Sequence, residues 1–466
     1  MLKRPDLSLS QQILALLTGV ALMTTLISAL SNPDSIDGFW ISGFMQNFST
    51  EMMGAIITFA LFELVLNRQQ REQEKLEQAR KADEAKNSAE SRYKRRLQIL
   101  IGSRNNAVAV GAMDEARAEG WLDEILQDDE TVIEGANWQN AYLSNISLNN
   151  KKMGGINLTG AALYRANLEG ANLYRADLEG ANLNTANLEE ASLSEANLTE
   201  ADLQDANLTG ADLQDANLTG ADLRDANLTG ANLRDANLTG ANLQDANLCN
   251  ARLWNADLAE SNLKRINLVE SDLRKTTFIN ADLSFANLEN AVLHYANLDG
   301  TYLEKINLTG ADLQLINLAG AFLKGANLTN TNMWQTNLAN AELRHTNLAN
   351  ANMWEANLAG ANLRQANLTG ANLGRTNLTG SNLNGVTVFH TNLYGSVCNE
   401  FTILPDGKTW TKETDWTQFG AVIIEKKDKW YAYLYQHGLL RQHLIRWSDT
   451  DYEKEVQSLR KKGFID

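Results

Sequence analysis

Four aromatic residues, Trp254, Trp334, Trp354 and Tyr394, are separated by multiples of twenty residues. Rings held at a fixed spacing can anchor a protein partner, because a few large aromatic side chains carry most of the energy of an interface. They can also stack on one another. Asp205, Asp225 and Asp245 follow the same twenty-residue spacing, with Asp215 and Asp235 offset by ten. Such a line of carboxylates suits an electrostatic partner. The chemistry of catalysis is missing. Cys249 and Cys398 have neither a metal-ligand spacing nor a disulfide framework, and the 5 histidines are scattered. No nucleophile–base–acid set or phosphate-binding loop is present. The expectation is a non-enzyme with no catalytic residue, cofactor or metal.

Composition narrows the partners. The formal net charge is −16, which argues against general nucleic-acid binding. Residues 176–250 hold 14 acidic and 2 basic residues, a net of −12, whereas 251–400 hold 12 and 10, a net of −2. Arg224 and Arg234 partly offset the acidic half.

The elements that must position these residues follow from a period of five. From Ala136 to Gly395, 260 residues form 52 repeats without a frame slip. The central residue is Leu except at Trp138, Met153, Phe278, Met333, Met353 and Val388, which are also apolar. Two residues earlier stands Ala or a small substitute, and between them Asn or Asp, as in Ala206-Asn207-Leu208-Thr209-Gly210. Five steps of ~100° on an α-helix would smear the leucines around the axis. Five steps along a strand would reverse the face. Every Leu points inward only if the chain turns a corner once per repeat, so four repeats close a coil of 20 residues. Asn332-Met333-Trp334 recurs as Asn352-Met353-Trp354, one coil on.

These residues resemble the pentapeptide-repeat family, with its A(D/N)LXX pattern. The resemblance implies a mainly β fold, a right-handed quadrilateral β-helix with Leu and the preceding Ala inside. Thirteen coils at ~4.8 Å make a rod about 60 Å long. Lys151 departs from the pattern at an inward Ala position, which predicts distortion or capping of the first coils. The two residues after each Leu point outward and alternate in character. Small pairs such as Thr209-Gly210 alternate with varied ones such as Arg224-Asp225 and Trp334-Gln335. Two opposite sides are therefore expected to be bland and two to carry recognition.

The amino-terminal part reads as an α-helical membrane hairpin over 1–66. Ile13 to Leu30 is an uncharged apolar run, a turn signal follows at Asn32-Pro33-Asp34, and a second apolar stretch extends from Phe39 to Leu66. Lys3 and Arg4 precede the first run, and Arg68, Arg71 and Lys75 follow the second. The positive-inside rule then places the N-terminus and the solenoid in the cytoplasm. Two carboxylates, Glu51 and Glu63, fall in or beside the second run, where they would sit near the interfaces or serve a transport or signalling role. Residues 67–103 read as a polar helical stalk. Residues 104–135 read as a capping helix with an apolar stripe at Ala107, Val108, Val110, Met113 and Ala116.

The solenoid is assigned to 136–400. A cap and a small α+β module follow over 401–466, with strands at Ala421–Ile424, Trp430–Tyr435 and Leu444–Trp447 and a helix from Asp451 to Lys462. The favoured function is a membrane-tethered scaffold that docks an unknown protein partner, with a homo-oligomer open. The resemblance implies a bacterial, including cyanobacterial, source, and hence an inner or thylakoid membrane. It also implies an alternative, a DNA mimic that binds a topoisomerase through its acidic face.

Overall fold

The computed structural model describes residues 14–15, 17–23, 38–128, 131–424, 433, 436 and 449–464, and the chain divides into two compact units, Met1–Tyr93 and Lys94–Asp466. Helix α1 (Gly38–Ile101) runs uninterrupted for 64 residues. The apolar stretch and the polar stalk are thus one helix, not two elements. Nothing at Leu66-Asn67 breaks it, and the residues beyond are strong helix formers with Lys81–Glu77 and Arg80–Glu84 pairs one turn apart.

Residues 14–15 and 17–23 are helical, while the rest of the first apolar run and the Asn32-Pro33-Asp34 turn lie outside the described residues. No helix among the described residues is long and apolar enough to cross a membrane. The physical limit is length: Met52–Leu66 is the clean apolar part, and its 15 residues rise only ~22 Å against a hydrocarbon core of ~30 Å.

The second unit begins with the last turns of α1, where Leu97 and Ile101 are fully buried. Helix α2 (Asn106–Ala118) follows, its first turn capped by the Asn105 side chain, which accepts from the Val108 amide. The buried stripe of α2 is Ala109, Ala112, Met113 and Ala116. The expected stripe is corrected by about a residue, since Ala107 and Val108 face outward. A short helix α3 (Leu122–Gln127) then buries Leu122, Ile125 and Leu126.

These helices close the first coil. The Asn106 side-chain amide donates to the Asn137 side chain at 3.1 Å and to the Gln139 carbonyl at 2.9 Å. Trp138, the first central residue, is fully buried and its indole N–H donates to the Ile101 carbonyl at 2.8 Å. A Leu there would leave the open end of the core unfilled. Lys151 does not distort the first coils. Its backbone keeps the inter-coil ladder while its ammonium reaches the Asp128 carbonyl at 3.2 Å.

The coil itself is set by its pairings. Asn137, Tyr142, Ser147 and Lys152 each form a parallel bridge with the residue twenty positions on, Asn157, Ala162, Asn167 and Asn172. Four successive pairings at intervals of five are the four sides of one coil. The pattern continues to Asn377↔Val397, and Asn382↔Ile403 then skips a residue as the regular coils end. Every central Leu from 143 to 393 is buried.

At the corners, that of Ile316 excepted, the amide three residues beyond the central residue donates back to it, as Ala211 does to the Leu208 carbonyl at 3.0 Å. The third residue of the turn has positive φ, +57° at Asp205 and +67° at Gly210. That is the demand of a type II turn, and it explains the Gly and Asn at alternate corners. The Asn between Ala and Leu serves twice. The Asn207 side-chain oxygen accepts from the Thr209 amide at 3.2 Å, and its amide donates to Asn187, one coil away, at 3.0 Å.

One step of the ladder is loosened. Asn297 still pairs with Asn317 and Tyr302 with Phe322. Yet between residues 295–303 and 314–322 the amides of Tyr295, Leu298, Gly300 and Leu303 do not reach full hydrogen-bond geometry with the neighbouring coil's carbonyls, nor do those of Asn317 and Phe322. The ladder is intact through the repeats on either side. The loosening coincides with Ile316 in an inward Ala position and with Tyr302 and Phe322 stacked where Asn or Asp normally stands.

Beyond the coils, Ile403 pairs antiparallel with Thr409, a single 3₁₀ turn spans Trp416–Phe419, and Val422 lies parallel to Asn392. The expected Ala421–Ile424 strand therefore extends the solenoid. Trp430–Tyr435 lies outside the described residues except Tyr433, which is helical, and Leu444–Trp447 lies outside them entirely. Helix α4 spans Asp449–Lys461.

Candidate partner-binding sides of the solenoid

On the two sides with Thr-Gly corners the threonine hydroxyls bond within the rod, Thr199 between Asn197 and Asn217 on one side and Thr209 and Thr229 on the other. The Thr209 hydroxyl donates to Asn207 at 2.6 Å and accepts from Asn227 at 2.8 Å, so its donor is spent within the rod. Thr229 does the same with Asn227 and Asn247. Where Asn replaces Gly at a corner, its side chain lies over the glycine one coil on. A Cβ built on Gly160, Gly300 or Gly360 would fall within 2.4 Å of the Asn140, Asn280 or Asn340 oxygen.

The other two sides hold the candidate anchors. Trp254, Trp334, Trp354 and Tyr394 occupy equivalent corner positions on one side, and all four are half-buried. Two of them, Trp254 and Trp354, are not free-standing anchors. The Trp254 ring has two cations beside it, Arg234 at 5.3 Å and Lys275 at 5.1 Å. The Trp354 ring lies down across the next coil, where a Cβ on Gly374 would come within 2.1 Å of it. Its N–H donates to Glu355 at 3.2 Å, and Arg375 stands 5.6 Å from the ring. The Glu355 carboxyl, which accepts from Gln335, is held below the usual range. Trp334 and Trp354 form no ring–ring contact among the described residues, so stacking does not account for their one-coil spacing.

The acidic line is on the opposite side. Asp205 and Asp225 are exposed. Asp245 differs: both its oxygens accept from the Arg265 guanidinium at 2.6 Å, which holds its carboxyl below the ordinary range. Asp222 is likewise clamped by Arg224, and its carboxyl is lowered for that reason. The line therefore does not present three equivalent free charges.

The structure adds residues that composition did not single out. Tyr302 and Phe322 are 57% and 61% exposed on adjacent coils, on the same side as Asp205. Phe285 is exposed beneath them, with the Lys305 ammonium 5.1 Å from its ring. Tyr295 and Leu315 are exposed on the tryptophan side. The signal was available: a large apolar residue where the repeat calls for Asn, Asp or Gly.

Reactive groups are few. Burial pushes the Cys398 thiol up to about 12, so it is no nucleophile. No group of His, Cys, Asp or Glu among the described residues is arranged to hold a metal. Glu63 is half-exposed on α1, and the side chain of Glu51 is outside the described residues.

Comparison with known proteins identifies the repeat. The pentapeptide-repeat family pattern matches overlapping segments that together span residues 152–395. A pentapeptide repeat protein involved in heterocyst differentiation regulation from the cyanobacterium Nostoc sp. strain PCC 7120 is 30% identical, covering 64% of this chain and 98% of that one, with a TM-score of 0.25. Another from the cyanobacterium Cyanothece 51142 is also 30% identical, over 22% of this chain and 89% of its own, with a TM-score of 0.16. A plasmid-mediated fluoroquinolone resistance protein is 20% identical over 36% of this chain and 88% of its own, with a TM-score of 0.28. No curated protein matches.

Proposed function

The chain belongs to the pentapeptide-repeat family, and from that premise we propose that it is a non-enzymatic docking protein that captures a protein partner on the tryptophan side of its solenoid. The observation that carries this reading is the contrast between sides. The Thr-Gly sides present small residues whose hydroxyl donors are spent within the rod, whereas the tryptophan side offers large half-buried rings bordered by Arg, Lys and Glu. Such amphipathic anchors on a rigid frame are what interface hot spots require.

The docking rod is, in this reading, tethered to a bacterial inner or thylakoid membrane, with the solenoid on the cytoplasmic side. Support comes from α1, where Met53, Ile57, Leu61, Phe62, Leu64 and Val65 are exposed large apolar side chains. Water is a poor environment for such a cluster, and lipid a good one. The duplex-mimic alternative is weaker, because Arg265 and Arg224 take up carboxylates on the very side that would imitate phosphates.

The test is capture from solubilised membranes with the full chain. Trp334→Ala with Trp354→Ala weakens capture at unchanged melting temperature, and Asp205→Asn with Asp225→Asn and Asp245→Asn does not. The opposite pattern, with loss of capture in high salt, assigns the acidic side instead.

A further inference from the structure

We propose that the side carrying Asp205 and Asp225 is an interface with a second copy of this chain, docked antiparallel. The repeats ending at 185, 205, 225 and so on to 365 stack one above another on this side. Asp205 and Asp225 lie toward one end, exposed and without an ion pair among the described residues. Lys305, Lys324 and Arg364 lie toward the other end, also exposed and without an ion pair among the described residues. Between the two ends Asp245 and Arg265 neutralise each other. Beside the basic end, Tyr302 and Phe322 leave an apolar patch that a charged solvated face does not need.

This strip is complementary to itself only when reversed. In a parallel pairing Asp225 faces Asp225 and Lys324 faces Lys324. In an antiparallel pairing about a two-fold axis, the acidic end meets the basic end, and one register also takes Arg265 clear of other cations. Repeat 221–225 meets 321–325, 201–205 meets 341–345, 241–245 meets 301–305, and 261–265 meets 281–285. Asp225 then faces Lys324, Asp205 faces the corner of His345 and an Arg344 already paired with Glu342, and the Arg265 guanidinium faces the Phe285 ring.

The two neighbouring registers differ from this one at Arg265. A shift of one coil in one direction sets Arg265 against its own copy, and a shift in the other sets Arg265 against Lys305. Asp245 moderates that repulsion, so the Arg265–Phe285 contact, together with the overlap of the acidic and basic ends, sets the register. A two-fold pairing of identical surfaces is the commonest form of association between copies. The tryptophan side is opposite and remains free for a different partner.

The test uses the full-length chain in mild detergent, with Cys249 and Cys398 replaced by Ser. Thr185→Cys and Gln365→Cys, both exposed corners, come together only between antiparallel copies in this register. A short bifunctional thiol reagent is expected to give covalent dimer when the two variants are mixed and little with either alone. Asp225→Lys alone and Lys324→Asp alone each abolish that product. The chain carrying both changes regains it. Cross-linking of Thr185→Cys to itself, or no product from the mixture at native melting temperature, overturns the proposal. So does a Lys324→Asp chain that cross-links like its parent.

Discussion

The side-chain oxygen of Asn350 occupies the place where residue 370 would carry a β carbon: a Cβ built on Gly370 falls 2.3 Å from it. Gly370 also has φ +70°, so two separate demands meet at one position. Gly240 has φ +66° but nothing within 4 Å of its missing Cβ. Gly240→Ala is therefore expected to cost only the ~1–2 kcal/mol of left-handed backbone. Gly370→Ala is expected to cost more, and Asn350→Ala in the same chain should return it to the Gly240→Ala value. Chemical denaturation of these chains checks this; equal costs for the two glycines would remove the Asn–Gly contact from the account.

Leu228 is fully buried in the middle of the stack. Leu228→Ala is expected to destabilise by ~2–5 kcal/mol through lost burial and the cavity left behind. Leu228→Arg puts a charge where no partner can reach it and should split the rod into two separately melting blocks. An unchanged melting curve for the Arg variant contradicts the inward placement.

The Arg274 guanidinium grips both oxygens of Asp272, at 2.8 and 2.6 Å, and these hydrogen bonds lower the carboxyl's pKa. A depressed folded pKa means the pair's stabilisation is present above the ordinary carboxylate range. It is lost as pH falls through the depressed value. Because the pair is partly solvated, its worth is within the ~0–1 kcal/mol of surface pairs. Arg274→Gln should lower stability near neutral pH and leave it unchanged in strong acid, where Asp272 is protonated in both chains. Melting temperature against pH reads the difference.

The loosened step between 295–303 and 314–322 predicts a local fast zone in amide exchange. Leu298, Leu303, Asn317 and Phe322 should exchange faster than matching amides one coil away, such as those of Phe278 and Asn337, whose ladder bonds are made. Tyr302→Asn with Phe322→Asn restores the usual ladder residues and should slow that exchange. Uniform protection through this region in the native chain would show the step to be closed.

Much of the solenoid was legible because a five-residue period leaves a chain few options. Leu208 and Ala206 repeat at a spacing that neither helix nor strand accepts, so corners were forced and twenty-residue closure followed. The condition of the candidate side chains was not legible. Nothing in the string says that Trp354 lies across Gly374, that Arg265 reaches back one coil to Asp245, or that the ladder loosens beside Tyr302. Those depend on rotamers and on contacts across coils. The end of the apolar stretch is a poor guide to the helix for another reason. Leu66 and Asn67 change polarity abruptly, but polarity is not conformation, and α1 continues through both.

Twenty-residue closure has a further consequence: sequence number acts as an angular coordinate. Insert five residues anywhere in the coils, and every downstream repeat turns by a quarter of a circle, carrying Trp334 and Trp354 onto a bland side without touching a single core leucine. Insert ten, and they arrive on the side of Asp205. Only a twenty-residue insertion restores their bearing, and it moves them ~4.8 Å along the axis. A chain of this kind can thus be lengthened or rotated by duplication in fixed increments. Its stability changes little at each step, while the surface it shows in any one direction is rewritten.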